Sequence, residues 1–221
     1  NTYGEFWNKE TQEKILYEYG HIPLIYSANT FSHVQNLNEC IELVRDSLCD
    51  DGVFVLETPS FLEVLKYNTF DQFYHEHQSY FSYVSVKNIV EKLGMRVFDL
   101  EMYPVHGGTY RFFICKENAN HSNKVKNKYL DNEMRFGINN YSNLCGVMDI
   151  MKSNMVSIKD MLEDIKKGGH TIVGYGATAK FTNVMNMCGL NNNHIDYVLD
   201  TTPLKNNKWI PNTGVQIKAI Y

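Results

Sequence analysis

The sequence predicts an α/β protein built in two parts, and three observations carry that reading. The first is a succession of apolar run, helix and apolar run between Leu24 and Glu57. The second is a pair of strand-like runs, Met95 to Tyr103 and Thr109 to Lys116, joined through Pro104-Val-His-Gly-Gly108. The third is a strand, glycine turn, helix and strand between Thr171 and Asp200. Strand–helix–strand at this spacing favours a parallel unit with a right-handed crossover. Two strands meeting at a glycine-rich turn favour an antiparallel pair.

Each element has its own local reason. Residues 8–19 set Ile15, Leu16 and Tyr19 among charges, a weak amphipathic helix. Leu24-Ile-Tyr-Ser-Ala28 shows little alternation, as expected of a strand buried on both faces. Leu37, Cys40, Ile41, Val44 and Leu48 fall on one helical face, and Asp50-Asp51-Gly52 is expected to end that helix. Val53-Phe-Val-Leu-Glu57 is the next buried strand, broken by Thr58-Pro59. Ser85 to Gly94 reads as a helix with Ser85 as N-cap and Gly94 as stop. Residues 117–130 are polar. Residues 131–167 carry one long helical pattern whose methionines suit core packing better than a plastic binding face. Thr171-Ile-Val-Gly-Tyr-Gly176, the helix after it and Ile195 to Asp200 form a mononucleotide-binding half, with helix N-terminal N–H groups available to a phosphate and Lys180 one turn in.

The 221 residues are 43% hydrophobic, enough for one large or two small cores. A net charge of −4, with both signs mixed, suggests no nucleic-acid surface. The five cysteines are scattered without a Cys-x-x-Cys pair, which argues against a disulfide framework or a thiolate zinc site and fits a reducing cytoplasm. No apolar run approaches the ~20 residues of a membrane helix. The opening residues are no signal peptide and lack an initiator Met, and Val215 to Tyr221 reads like a strand stopping in mid-course. These ends point to a piece of a longer chain.

The chemistry concentrates in Phe70-Asp-Gln-Phe-Tyr-His-Glu-His77. A neutral imidazole takes a proton near neutral pH at little cost, a carboxylate can orient it, and a phenol can donate to a developing oxyanion. If the stretch forms a helical turn, Tyr74 and His77 share a face and His75 points elsewhere. The alternative is an aromatic loop whose polar groups bond to one another. Asn29, His33 and Glu57 lie at carboxyl ends of the parallel strands, where such sheets bind ligands.

Five ordered motifs run through the chain: Ala28-Asn-Thr-Phe-Ser-His33, Phe70 to His77, Val105-His-Gly-Gly108, Gly174-Tyr-Gly-Ala-Thr-Ala-Lys180 and Asp200-Thr-Thr-Pro-Leu-Lys205. Together they resemble the nucleotide-sugar C-methyltransferases that methylate a keto sugar. The resemblance implies the second half of a class I, Rossmann-like methyltransferase sheet with an antiparallel end pair over 1–118. A helical connector at 119–169 and a partial, smaller Rossmann-like domain at 170–221 would follow. It implies S-adenosylmethionine as cofactor, with zinc held only in an N-terminal module that this sequence lacks, along with the glycine loop. It also implies a nucleotide-sugar substrate and a monomer or weak oligomer, with no nucleic-acid or membrane partner. By motif match His77 is the base, Tyr74 sits beside the enolate, Glu76 holds the sugar or orients His77, and His33 faces the ketone oxygen. Asn29 and Ala28 approach the cofactor. His106, Gly107 and Gly108, with Gly174, Tyr175, Gly176 and Lys180, face the substrate. Two other readings compete: a piece that only captures a nucleotide sugar, and a dehydrogenase or epimerase. The missing third glycine after Gly174-x-Gly176 speaks against the last.

Overall fold

The computed structural model describes residues 2–220, which form two compact units. The first runs through Tyr67 and resumes over Glu76–Asn140, and the second comprises Asn68–His75 and the chain from Tyr141 onward.

In the first unit the elements are α1 (Lys9–Tyr19), β1 (Ile22–Ala28), α2 (Leu37–Ser47), β2 (Leu48–Pro59), α3 (Phe61–Lys66), α4 (Tyr83–Lys92), β3 (Met95–Tyr103), β4 (Thr109–Lys116) and α5 (Lys128–Phe136). The sheet order is β1-β2-β4-β3. β1 and β2 are parallel, and β2–β4 and β3–β4 are antiparallel. The expected crossover and the expected antiparallel pair are both present. One sheet face supplies Phe54, Leu56, Phe112 and Ile114 to the core, closed by Ile41 and Val44 of α2 and Val86 and Val90 of α4. Ring and branched side chains alternate along the strands, so a single face can bury them all.

Several local expectations are corrected. The sequence predicts β1 as buried on both faces; among the described residues it is an edge strand, with Leu24 58% and Tyr26 57% exposed. Apolar content reports what a strand could bury, and what packs on each of its faces decides what it does bury. α2 stops at Ser47, before Asp50-Asp51-Gly52, because fully buried Leu48 turns extended into the core. The N-cap of α4 is Ser82, and Ser85 is the reciprocal partner three residues on. The long helix of 131–167 is two helices, since Gly137 takes φ +77° and ends α5. Within 119–169, α5 lies in the first unit and the next helix in the second.

The second unit holds α6 (Tyr141–Lys167), β5 (Val173–Tyr175), α7 (Ala179–Met187), β6 (Tyr197–Asp200) and β7 (Gln216–Ala219). Its sheet β5-β6-β7 is parallel throughout. Met151 and Met155 are buried, in keeping with core packing, while Met161 is exposed. α7 sits close on the sheet because Gly174 has no side chain. A Cβ there would lie 2.8 Å from Val198 Cγ2 and 3.0 Å from the Phe181 ring. The strand expected to run from Val215 is β7, and Tyr221 lies outside the described residues.

Candidate active site

The carboxyl ends of β1 and β2 form the rim in the first unit. After Ala28 the backbone turns through Asn29 at φ +53°, whose N–H bonds Glu57 O at 2.9 Å. Asparagine tolerates this left-handed geometry better than most residues. Its side-chain Oδ1 is buried with no hydrogen-bond partner among the described residues. A buried amide oxygen left unpaired costs free energy, so the site suits a donor brought by a ligand. The Glu57 carboxylate is not free for such a role. It is ion-paired to Arg111, whose guanidinium also bonds the Tyr103 hydroxyl at 2.8 Å.

The segment Phe31–His33 forms one 3₁₀ turn at this rim. Ser32 O accepts from Gln78 N at 2.7 Å and from Ser79 N at 3.2 Å, which lays the chain after His77 alongside it. Phe61 N bonds Phe81 O and Ser60 N bonds Gly108 O, both at 2.9 Å. As a result the rings of His33 and His77 stand 5.1 Å apart at 68°, edge to face, and His77 also meets Tyr80 at 6.0 Å and 77°. Two histidines 44 positions apart in sequence are thus brought together. Residues 74–76 are a bend and turn, and so the helical turn that would have put Tyr74 and His77 on one face is absent. Glu76 is exposed and belongs with His77 in this unit.

Two open pockets flank the rim. One of about 580 Å³ has His33 in its wall with Trp7, Val34, Asn36 and Glu39. The other, about 480 Å³, runs along β1 past Ile25, Ser27, Ala28 and Thr30. The hairpin Pro104–Gly108 closes the opposite side. His106, Gly107 and Gly108 take φ of +52°, +81° and +124°, and His106 is exposed. A Cβ on Gly108 would lie 2.8 Å from Glu63 Cγ, so α3 and the hairpin approach closely only with glycine there.

Tyr74 belongs to the second unit, half-buried, with its ring 6.3 Å from that of His75. In the same unit the turn Gly174–Gly176 leads into α7, with Gly176 at φ +86° and Tyr175 77% exposed. The N–H groups of Gly176, Ala177 and Thr178 are already used, by Leu199 O, Asp200 Oδ2 and Gly176 O. Any anion would rely on the N–H groups of Ala179 and Lys180 and on the Lys180 ammonium, which lies 3.9 Å from Asp71. Asp200 is 9% exposed and accepts from Thr202 N and Ala177 N, both at 2.8 Å, and from Lys205 Nζ at 3.2 Å. Bonds from Thr202 and then Lys205 hold its carboxyl far below the usual carboxylate range, against the opposing effect of desolvation. The fourth and fifth motifs therefore fold as one structure.

Sequence reasoning passed over Tyr80, Arg111 and Asn183. Tyr80 lies three residues beyond the Phe70 to His77 motif. For Asn183 no sequence signal existed, because its partner lies 110 positions away.

Residues 104–220 match the family model described as "C-methyltransferase C-terminal domain", and residues 5–100 match "Methyltransferase domain". The chain is 32% identical over 209 residues to C-methyltransferase NovU of Streptomyces niveus, covering 94% of this chain and 50% of NovU. It thus spans half the length of that relative. Among solved structures, magnesium protoporphyrin IX methyltransferase from Synechocystis PCC 6803 is similar at 8% identity and TM-score 0.34, over 43% of this chain and 45% of that one. M1.HpyAVI is similar at 14% and 0.32, over 50% of this chain and 52% of that one. With its C-terminal 104–220 matched to that model, the chain belongs to the C-methyltransferase family.

Proposed function

We propose that this chain carries the acceptor-activating part of an S-adenosylmethionine-dependent C-methyltransferase that acts on a keto nucleotide sugar. The observation that supports it most is the edge-to-face meeting of His33 and His77 at the carboxyl end of a parallel strand pair. Likeness to NovU supports the reaction class.

A carbon next to a ketone loses a proton only with a base in reach and a donor for the enolate oxygen. In this reading neutral His77 takes the proton from that carbon. His33 donates an N–H to the ketone oxygen as negative charge gathers there, and the Tyr74 hydroxyl supplies a second donor. Glu76 holds a sugar hydroxyl or orients His77. S-adenosylmethionine, when bound, would supply an electrophilic methyl on sulfur to the carbon that His77 deprotonates. Ala28 and Asn29 receive that cofactor, and the unpaired Oδ1 of Asn29 suits a hydroxyl or amino donor. By the motif match, His106, Gly107 and Gly108 are substrate contacts in this reading, and so are Gly174, Tyr175, Gly176 and Lys180. Residues 1–118 are the methyltransferase part, 119–169 the connector and 170–221 the C-terminal part of this scheme.

The test needs no methyl donor. A dTDP-linked 4-keto sugar in deuterium oxide should exchange the hydrogen beside its ketone when the chain is added, followed by proton NMR. Replacing the base by alanine, H77A, should slow that exchange by ~10²–10⁴-fold. Exchange at the parental rate in H77A would overturn the base. Sugar binding with no exchange in the parent would leave a capture module only.

A further inference from the structure

We infer that Asn183 of α7 is a positioning residue for the loop that carries Tyr74. The inference rests on the role proposed above for Tyr74. Asn183 Nδ2 donates to Phe73 O at 2.9 Å, in a partly buried contact across 110 residues. Phe73 immediately precedes Tyr74, so the bond fixes the peptide that aims the phenol.

Other contacts serve the same loop. The 3₁₀ turn Phe70–Gln72 packs on α7, with Phe70 and Gln72 both buried. Lys180, one turn before Asn183 on α7, lies near Asp71. α7 itself is held by the Thr178 cap on Phe181 N at 3.1 Å and by its close seat over Gly174. A line of support therefore runs from the glycine motif through α7 to the residue before Tyr74. A short loop with no regular structure of its own keeps one geometry only when such bonds restrain it. Lys180 and the Gly174–Gly176 turn acquire a second duty here, as the base on which the loop is mounted.

The test pairs Asn183→Asp, which keeps size and removes the donor, with Asn183→Ala. Asn186→Asp is the matched control, since Asn186 Nδ2 bonds Thr182 O at 2.8 Å on the same helix. Amide hydrogen exchange read by mass spectrometry should rise about tenfold over residues 70–75 in both Asn183 variants, the scale of one lost hydrogen bond. Amides of α7 and β5–β7 should keep their parental rates, and the control should leave residues 70–75 unchanged. Substrate deuteration should fall about tenfold in the maximal rate with KM unchanged. Parental amide exchange over 70–75 in both Asn183 variants overturns the anchor. Faster loop exchange with undiminished deuteration overturns the positioning role, provided that Tyr74→Phe does slow deuteration. Should Tyr74→Phe leave deuteration unchanged, the chemistry proposed for Tyr74 fails, while the amide rates still decide the anchor.

Discussion

The carboxylate of Glu133 accepts from the backbone N–H of Tyr83 at 2.6 Å and of Val84 at 3.0 Å, so α5 caps the N-terminus of α4. Glu133 is fully buried, and desolvation pushes its carboxyl above the usual range against the lowering effect of those bonds. A buried carboxyl that binds its proton more tightly when folded loses stability as pH rises from its unfolded value through its folded one. Glu133→Gln should therefore flatten the fall in denaturation midpoint above about pH 4.3. Glu133→Ala strands the buried N–H of Tyr83 and the half-buried N–H of Val84 and should cost about 1–3 kcal/mol by urea titration. A Gln variant with the parental pH slope would remove this account.

Gly107 and Gly108 separate two costs of adding a methyl group. Gly107→Ala meets only the strained φ of +81°, with nothing within 4 Å of the new Cβ. It should cost about 1 kcal/mol. Gly108→Ala adds a 2.8 Å approach to Glu63 Cγ and should cost clearly more, roughly 2–3 kcal/mol. Equal midpoints for the two variants in thermal melts would contradict the hairpin's contact with α3.

Asp200 should govern acid stability. Its carboxyl is depressed when folded, so the stabilisation is present above about pH 3.9 and is lost as pH falls through the folded value. Asp200→Asn should lower the melting temperature at neutral pH, and the gap from the parent should close as acid is added. A constant gap from neutral pH to pH 2 would refute the linkage.

Asn29→Gly should raise stability and weaken ligand binding together. Glycine adopts φ +53° without strain, and the unpaired buried oxygen is removed. Relief of the unpaired oxygen and of the strained φ outweighs the extra unfolded-chain entropy of glycine, for a net gain of up to about 1 kcal/mol in chemical denaturation. Calorimetry with S-adenosylhomocysteine should show affinity reduced about tenfold, the scale of one hydrogen bond in a dry site. Unaltered affinity would detach Asn29 from the cofactor.

Much of this was readable from residue order alone. Apolar spacing in Leu37–Val44 determines α2, and two strand runs at a glycine turn determine the β3–β4 hairpin, because those choices depend on near neighbours. The strand–helix–strand spacing likewise puts Ala28, Asn29 and His33 at a strand's carboxyl end. The tertiary structure alone decided which strand has an open edge, where Gly137 divides the helices, and that Ser82 and Glu133 together cap α4. It alone brought His33 to His77 and Asn183 to Phe73. Such contacts join residues tens to a hundred positions apart, and their free energy appears only once packing has brought the partners within reach.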